Sequence, residues 1–255
     1  MCFLEYIVKC RYSIRVKHEN DSEAICHRLT LLGAAFQGLG GRPIGGSIKK
    51  SVMPSASNFI RDFKIEIDEK RILRLMGYKK RGIGITASIR DVIAEERVKL
   101  DRLLESVSVY RIIDYEETNK HPIFADAEMV AFCLCTIGPR LEQTVKTLMA
   151  EGEILRSLIL DALGSEAVEE VATQSDKILA EKALKMHFWP SKRYSPGYKS
   201  WLLEEQRFIF SILPAVDIGV KLHEESCMMI PRKSISFRIN FYSDKNLTTR
   251  KMNKS

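Results

Sequence analysis

The stretch EILRSLILDALGSEAVEEVATQSDKILAEKALKMH, residues 153 to 187, decides the fold. It contains no proline, and Leu160, Leu163, Ala167 and Val171 recur at helical spacing, so it reads as one long helix with a core-facing stripe. On a second stripe Asp161, Ser165 and Glu169 repeat every four residues and share a polar face. Gly164 and Ser165 leave the backbone open to a close neighbour.

Working toward the N-terminus, residues 141 to 150 are helical, and MVAFCLCTIG (129–138) reads as a buried strand ending in the turn Gly138-Pro139. VSVYRIIDY (107–115) is rich in β-branched and aromatic residues and is a second strand. An amphipathic helix is predicted over about 86 to 107, with Ile89, Val92, Ile93, Val98, Leu100, Leu103 and Leu104 as its apolar stripe. IDEKRILRLMGY (67–78) is a short helix with Asp68 as N-cap and Gly77 as stop, and FKIEI (63–67) alternates as a half-buried strand does.

Working toward the C-terminus, Trp189-Pro190 leads into the turn-rich SKRYSPGYKSW, then a helix over EEQRFIFSIL. CMMIPRKSISFRINFYS (227–243) alternates like edge strands around Pro231, with Met228 and Met229 as core filler. The elements add up to an α+β domain over residues 58–244, a twisted antiparallel sheet packed with long helices.

The ends differ from this body. Residues 1–57 hold six of the fourteen glycines and read as a poorly ordered leader, and 245–255 read as a basic disordered tail. Pro43 occupies the place of the third glycine in GLGGRPIGG, so the GxGxxG phosphate-loop spacing is not met. Met53 precedes the first patterned segment and is a candidate natural start, which would make the leader an upstream extension.

The net charge of +7 resides in those ends, which carry twelve basic residues against four acidic ones. The body carries 28 against 29, which argues against a phosphate-neutralising, nucleic-acid-binding surface. No run of about 18 apolar residues suggests a membrane span, and no signal-peptide pattern opens the chain, so a cytoplasmic location is expected. The six cysteines form no CxxC pair and no zinc spacing, and Cys133 and Cys135 read as buried thiols. No metal site is expected.

Several motifs follow in one order: IGPRLE, the helix LILDALGSEAVEEVA, an Arg-x-x-x-Gly-Tyr signature at Arg193, Gly197 and Tyr198, and a Glu-Ser-x-x-Met-x-Pro-x-x-Ser-x-Ser pattern. The last falls on Glu225, Ser226, Met229, Pro231, Ser234 and Ser236. Across residues 137–240, and more loosely from about 58, the series resembles the activation domain of cobalamin-dependent methionine synthase.

The resemblance implies S-adenosylmethionine as cofactor. Arg193 would hold its carboxylate as a planar bidentate donor, and Glu169 its ammonium, although one residue of slip would choose Glu170. Ser195, Gly197 and Tyr198 would receive the adenosyl end. Three departures stand beside the likeness. Position 195 is serine where the family commonly has a small apolar residue, Leu247 lies where the family has a further tyrosine while Tyr242 is out of register, and the family's N-terminal aspartate has no counterpart that can be assigned.

The chain has no Asp-x-His-x-x-Gly cobalamin motif and is too short for homocysteine or folate barrels. The resemblance therefore implies a stand-alone methyltransferase subunit serving methionine biosynthesis, with cobalamin held by a partner methionine synthase or corrinoid protein and electrons supplied by a flavodoxin-like donor. The reductive methylation it implies needs no acid-base catalyst on this chain, since the reduced cobalt is itself the nucleophile. The alternatives are a reactivation subunit for another corrinoid methyltransferase and a non-catalytic adaptor that docks on a cobalamin domain.

Overall fold

In the computed structural model, residues 56–78, 85–118, 121–198 and 201–244 are described. The leader read over 1–57, apart from residues 56 and 57, and the tail read over 245–255 lie outside these residues.

Strands β1 (Asn58–Ile60), β2 (Val107–Asp114), β3 (Met129–Thr136), β4 (Trp189–Pro190) and β7 (Ser234–Tyr242) form an antiparallel sheet in the order β1-β2-β3-β7-β4. A separate pair joins β5 (Lys221–Leu222) to β6 (Met229–Ile230). The helices are α1 (Glu69–Leu75), α2 (Ala87–Leu103), α3 (Arg140–Ala150), α4 (Ile154–Lys185) and α5 (Gln206–Ile212). This is the α+β architecture the pattern predicts.

Register sorts the side chains. Tyr110, Cys133 and Phe237 are cross-strand partners on the face against α1 to α4, in one core with Leu160, Leu163, Ala167 and Val171. Val109, Leu134 and Phe132 point the other way, into a second core with Phe124, Trp201, Ile209 and Val220. Both faces are covered, and for that reason all eight residues of β3 are buried and its sequence is apolar up to the final Thr136. Helix α4 lies on the sheet, and α3 packs against it so closely that a Cβ at Gly164 would sit 2.6 Å from Leu141 Cδ2. The α1 cap is as expected, with Asp68 accepting from the Lys70 N–H at 2.9 Å.

Four expectations are corrected. FKIEI buries alternate residues, but no strand pairs with it; the Gln174 side chain on α4 bonds both the N–H and C=O of Lys64, and Arg97 donates to Ile67 O at 2.5 Å. Alternation reports which side chains face inward, and here helix side chains rather than a neighbouring strand meet the backbone. Helix α2 ends at Leu103, since Leu104 is extended and the Glu105 N–H already bonds Ile137 O at 2.9 Å. Val98 is 80% exposed, and the buried position beside it is Glu96, whose carboxylate is drawn inward by Arg156 at 2.6 Å and Lys99 at 2.7 Å.

The last correction concerns residues 227–243. β7 lies inside the sheet between β3 and β4, and its polar residues Ser236, Arg238 and Asn240 are buried under the second core's cover. They bond one another and their roof, which gives a solvent-like alternation without solvent. Met229 packs on that core, whereas Met228 is exposed.

Candidate functional site

The polar stripe of α4 faces the chain entering β7. Asp161, Ser165 and Glu169 line a cleft of about 500 Å³ together with Glu142, Lys146 and Lys233. The Lys233 ammonium donates to Ser165 Oγ and pairs with Asp161 Oδ1, both at 2.8 Å, and its backbone N–H donates to Glu142 Oε1 at 2.6 Å. One lysine thus ties α3, α4 and β7 at the floor of the cleft. A larger cleft, about 810 Å³, lies beside Phe63, Glu105, Pro139 and Ile218 and contains none of Glu169, Arg193, Ser195, Gly197 and Tyr198.

Two turns along α4 from Asp161, Glu169 Oε2 accepts from Arg193 Nη2. The Arg193 side chain is only 14% exposed, and its guanidinium carbon lies 5.7 Å from the centroid of the Phe237 ring. Its Nη1 is buried and has no hydrogen-bond partner among the described residues. A buried donor without an acceptor is costly, and it lies next to a carboxylate that is 45% exposed. Glu170 instead accepts from Gln174 Nε2 at 2.8 Å on the same helix, so Glu169 is the carboxylate that meets Arg193.

Ser195, Pro196, Gly197 and Tyr198 follow directly. The turn is closed by the Gly197 N–H on Trp201 O at 2.8 Å and the Trp201 N–H on Tyr198 O at 3.2 Å. Gly197 has φ +85°, a backbone that L side chains rarely adopt, while a Cβ there would stand 3.5 Å from Leu203 Cδ1, an ordinary contact. Its conformation, not crowding by the protein, calls for glycine. Tyr198 is 71% exposed and leaves a ring face open beside the turn.

The second motif builds structure around this site. Ser226 Oγ is 3.0 Å from His223 Nδ1, Ser234 Oγ lies 3.0 Å from Thr136 Oγ1, and Ser236 Oγ donates to Gln206 Oε1 at 3.0 Å. Gln206 Nε2 in turn donates to Cys227 O at 2.5 Å. Cys133 and Cys135 are buried with sulfurs 3.7 Å apart, and burial pushes the Cys133 thiol well above its usual range. Among the described residues no group of three or more His, Cys, Asp or Glu could hold a metal ion, and no helix is long and apolar enough to cross a membrane.

No family model matches the chain, and no curated protein matches it by sequence. A solved structure of the MetH reactivation domain bound to AdoHcy superimposes with a TM-score of 0.58 over 74% of this chain and 79% of that one, at 14% identity. The chain has the fold of the MetH reactivation domain.

The long helix carrying Glu169 and the segment carrying Arg193 meet through their ion pair, and Tyr194 next to it bridges Arg238 in β7. Sequence reasoning missed Lys233 and Arg238, both at positions that the serine motif and its alternation leave unspecified. The family's N-terminal aspartate remains without a counterpart here, and Leu247 lies outside the described residues.

Proposed function

We propose that the chain binds S-adenosylmethionine across Glu169, Arg193 and the Ser195–Tyr198 turn, and supports reductive methylation of cob(II)alamin held by a methionine synthase. The observation that carries this reading is the buried, unpartnered Nη1 of Arg193 beside the Glu169 carboxylate. A zwitterionic amino-acid end placed between them would give Nη1 a carboxylate oxygen and give Glu169 an ammonium. One ion pair would become two without bringing an unpaired charge into the site. The fold likeness to a domain bound to AdoHcy supports the same ligand class.

When bound, S-adenosylmethionine supplies an electrophilic sulfonium methyl. The protein's part is orientation: Arg193 and Glu169 fix the amino-acid end, and the turn with Tyr198 fixes the nucleoside, so that the methyl faces outward toward a docked partner. A flavodoxin-like donor would supply one electron to the partner's cobalt, and cleavage of the sulfur–methyl bond would release S-adenosylhomocysteine as the leaving group. No residue of this chain is asked to move a proton, and the cytoplasm is where we place the reaction.

Calorimetric titration with AdoHcy tests the ligand. Saturable one-to-one binding that weakens in Arg193→Ala is expected, and absence of heat at millimolar ligand would overturn the reading. One observation favours a second reading, an adaptor without methyl donation. Tyr242 is buried in the second core, where its hydroxyl accepts from Asn240 Nδ2 at 3.0 Å, so it cannot replace the family's missing tyrosine. Binding of AdoHcy with no acceleration of methyl transfer would decide for the adaptor.

A further inference from the structure

Neighbouring residues of β7 point to opposite faces of the sheet yet support the same segment. Phe237 lies beneath the Arg193 guanidinium on the helix face. Arg238, only 5% exposed on the other face, places its guanidinium carbon 5.0 Å from the ring centroids of Phe124 and Trp201 and 5.1 Å from that of Tyr194. Its Nη1 donates to Asn240 Oδ1, and Asn240 is held in turn by Tyr242.

Two of those three rings flank the turn. Tyr194 immediately precedes Ser195 and exchanges both backbone hydrogen bonds with Arg238, at 3.0 and 2.8 Å. Trp201 accepts the Gly197 N–H that closes the turn. Both ends of Ser195–Tyr198 therefore rest on one buried cation. An apolar residue of similar volume would fill this face at a lower desolvation cost, so packing alone does not account for an arginine there. Its flat, charged surface is suited to hold aromatic rings at fixed angles.

We propose that Arg238 is a positioning residue for the nucleoside end of the ligand: it presets the Ser195–Tyr198 turn, while Arg193 and Glu169 take the amino-acid end. The inference rests on the S-adenosylmethionine reading of the site. A turn fixed beforehand loses less freedom when a ligand is bound, and that difference appears in affinity and not only in stability.

The test uses the full chain with two probes. S-adenosylhomocysteine carries both ends of the ligand, and 5′-methylthioadenosine carries the nucleoside end alone. Arg238→Met should raise Kd for both probes by the same factor, about 5- to 30-fold for loss of a desolvated cation–π cluster. Arg193→Lys should raise it for S-adenosylhomocysteine only. Arg238→Lys, with the charge but not the plane, should fall between wild type and Arg238→Met, and it serves as the test if the methionine variant does not fold. Amide exchange in residues 194–198 and 201 should quicken in the variants while β3 stays protected. Folded Arg238 variants that bind both probes like wild type, or lose only S-adenosylhomocysteine, would overturn the role of Arg238. Wild-type protein that binds neither probe would instead overturn the ligand reading itself.

Discussion

Replacing Arg193 with lysine keeps the charge and removes the fork, and the structure lets the two consequences be separated. In the free protein Arg193 Nη2 serves Glu169, a carboxylate with 45% of its side chain exposed, so weakening that pair should cost less than about 1 kcal/mol of stability. The ligand carboxylate is assigned to Nη1, which is buried and has no partner among the described residues. An ammonium that stays on Glu169 cannot reach a second acceptor in the direction of Nη1. The missing charge-assisted hydrogen bond should cost about 1 to 3 kcal/mol of binding, roughly a 5- to 150-fold rise in Kd. Calorimetric titration with AdoHcy reads the affinity, and thermal unfolding without ligand reads the stability. An affinity within twofold of wild type would refute the assignment of Nη1 to the ligand carboxylate. A large fall in Tm with affinity preserved in the folded fraction would make Arg193 a structural residue.

Gly164→Ala should destabilise the protein by about 1 to 2 kcal/mol in denaturant titration, because the overpacking against Leu141 outweighs alanine's better helix propensity; a stabilised variant would show that α3 yields. Val98→Asp should change stability by less than about 0.5 kcal/mol, since the side chain is solvent-exposed, whereas a cost of several times that would put Val98 in the core after all. Cys133 and Cys135 should resist alkylation in the folded protein and react once it is unfolded, because burial keeps the Cys133 thiol protonated and both sulfurs out of solvent; rapid labelling of either under native conditions would contradict the packing of β3 against α4.

The elements that could be read in advance are those whose signal lies within one segment. Helix α4 shows its core stripe, its polar stripe and the glycine that admits α3, all within residues 153–187. β3 is legible because two covered faces leave only its last residue, Thr136, polar. Local sequence misleads where a partner elsewhere in the chain changes what a residue type means. Glu96 is polar and buried because Arg156, sixty residues away, meets it, and Val98 is apolar and exposed because the stripe turned toward Glu96. The alternation over residues 227–243 reads as edge strands because nothing local announces that β7 lies between β3 and β4 under a roof made by Phe124, Trp201 and Ile209. The pairing of Glu169 with Arg193 spans 24 residues. No periodicity connects them, so only the order of motifs could suggest it. Lys233 gave no signal of its own, since a lysine in a turn is ordinarily a solvated charge.

The most direct test of the account is a reconstitution. A methionine synthase lacking its own activation domain and loaded with cob(II)alamin is mixed with reduced flavodoxin and S-adenosylmethionine, and the absorbance of methylcobalamin is followed with and without this chain. The account predicts that methylcobalamin forms faster when the chain is present and that Arg193→Ala removes most of the gain. Equal rates with and without the chain would contradict it.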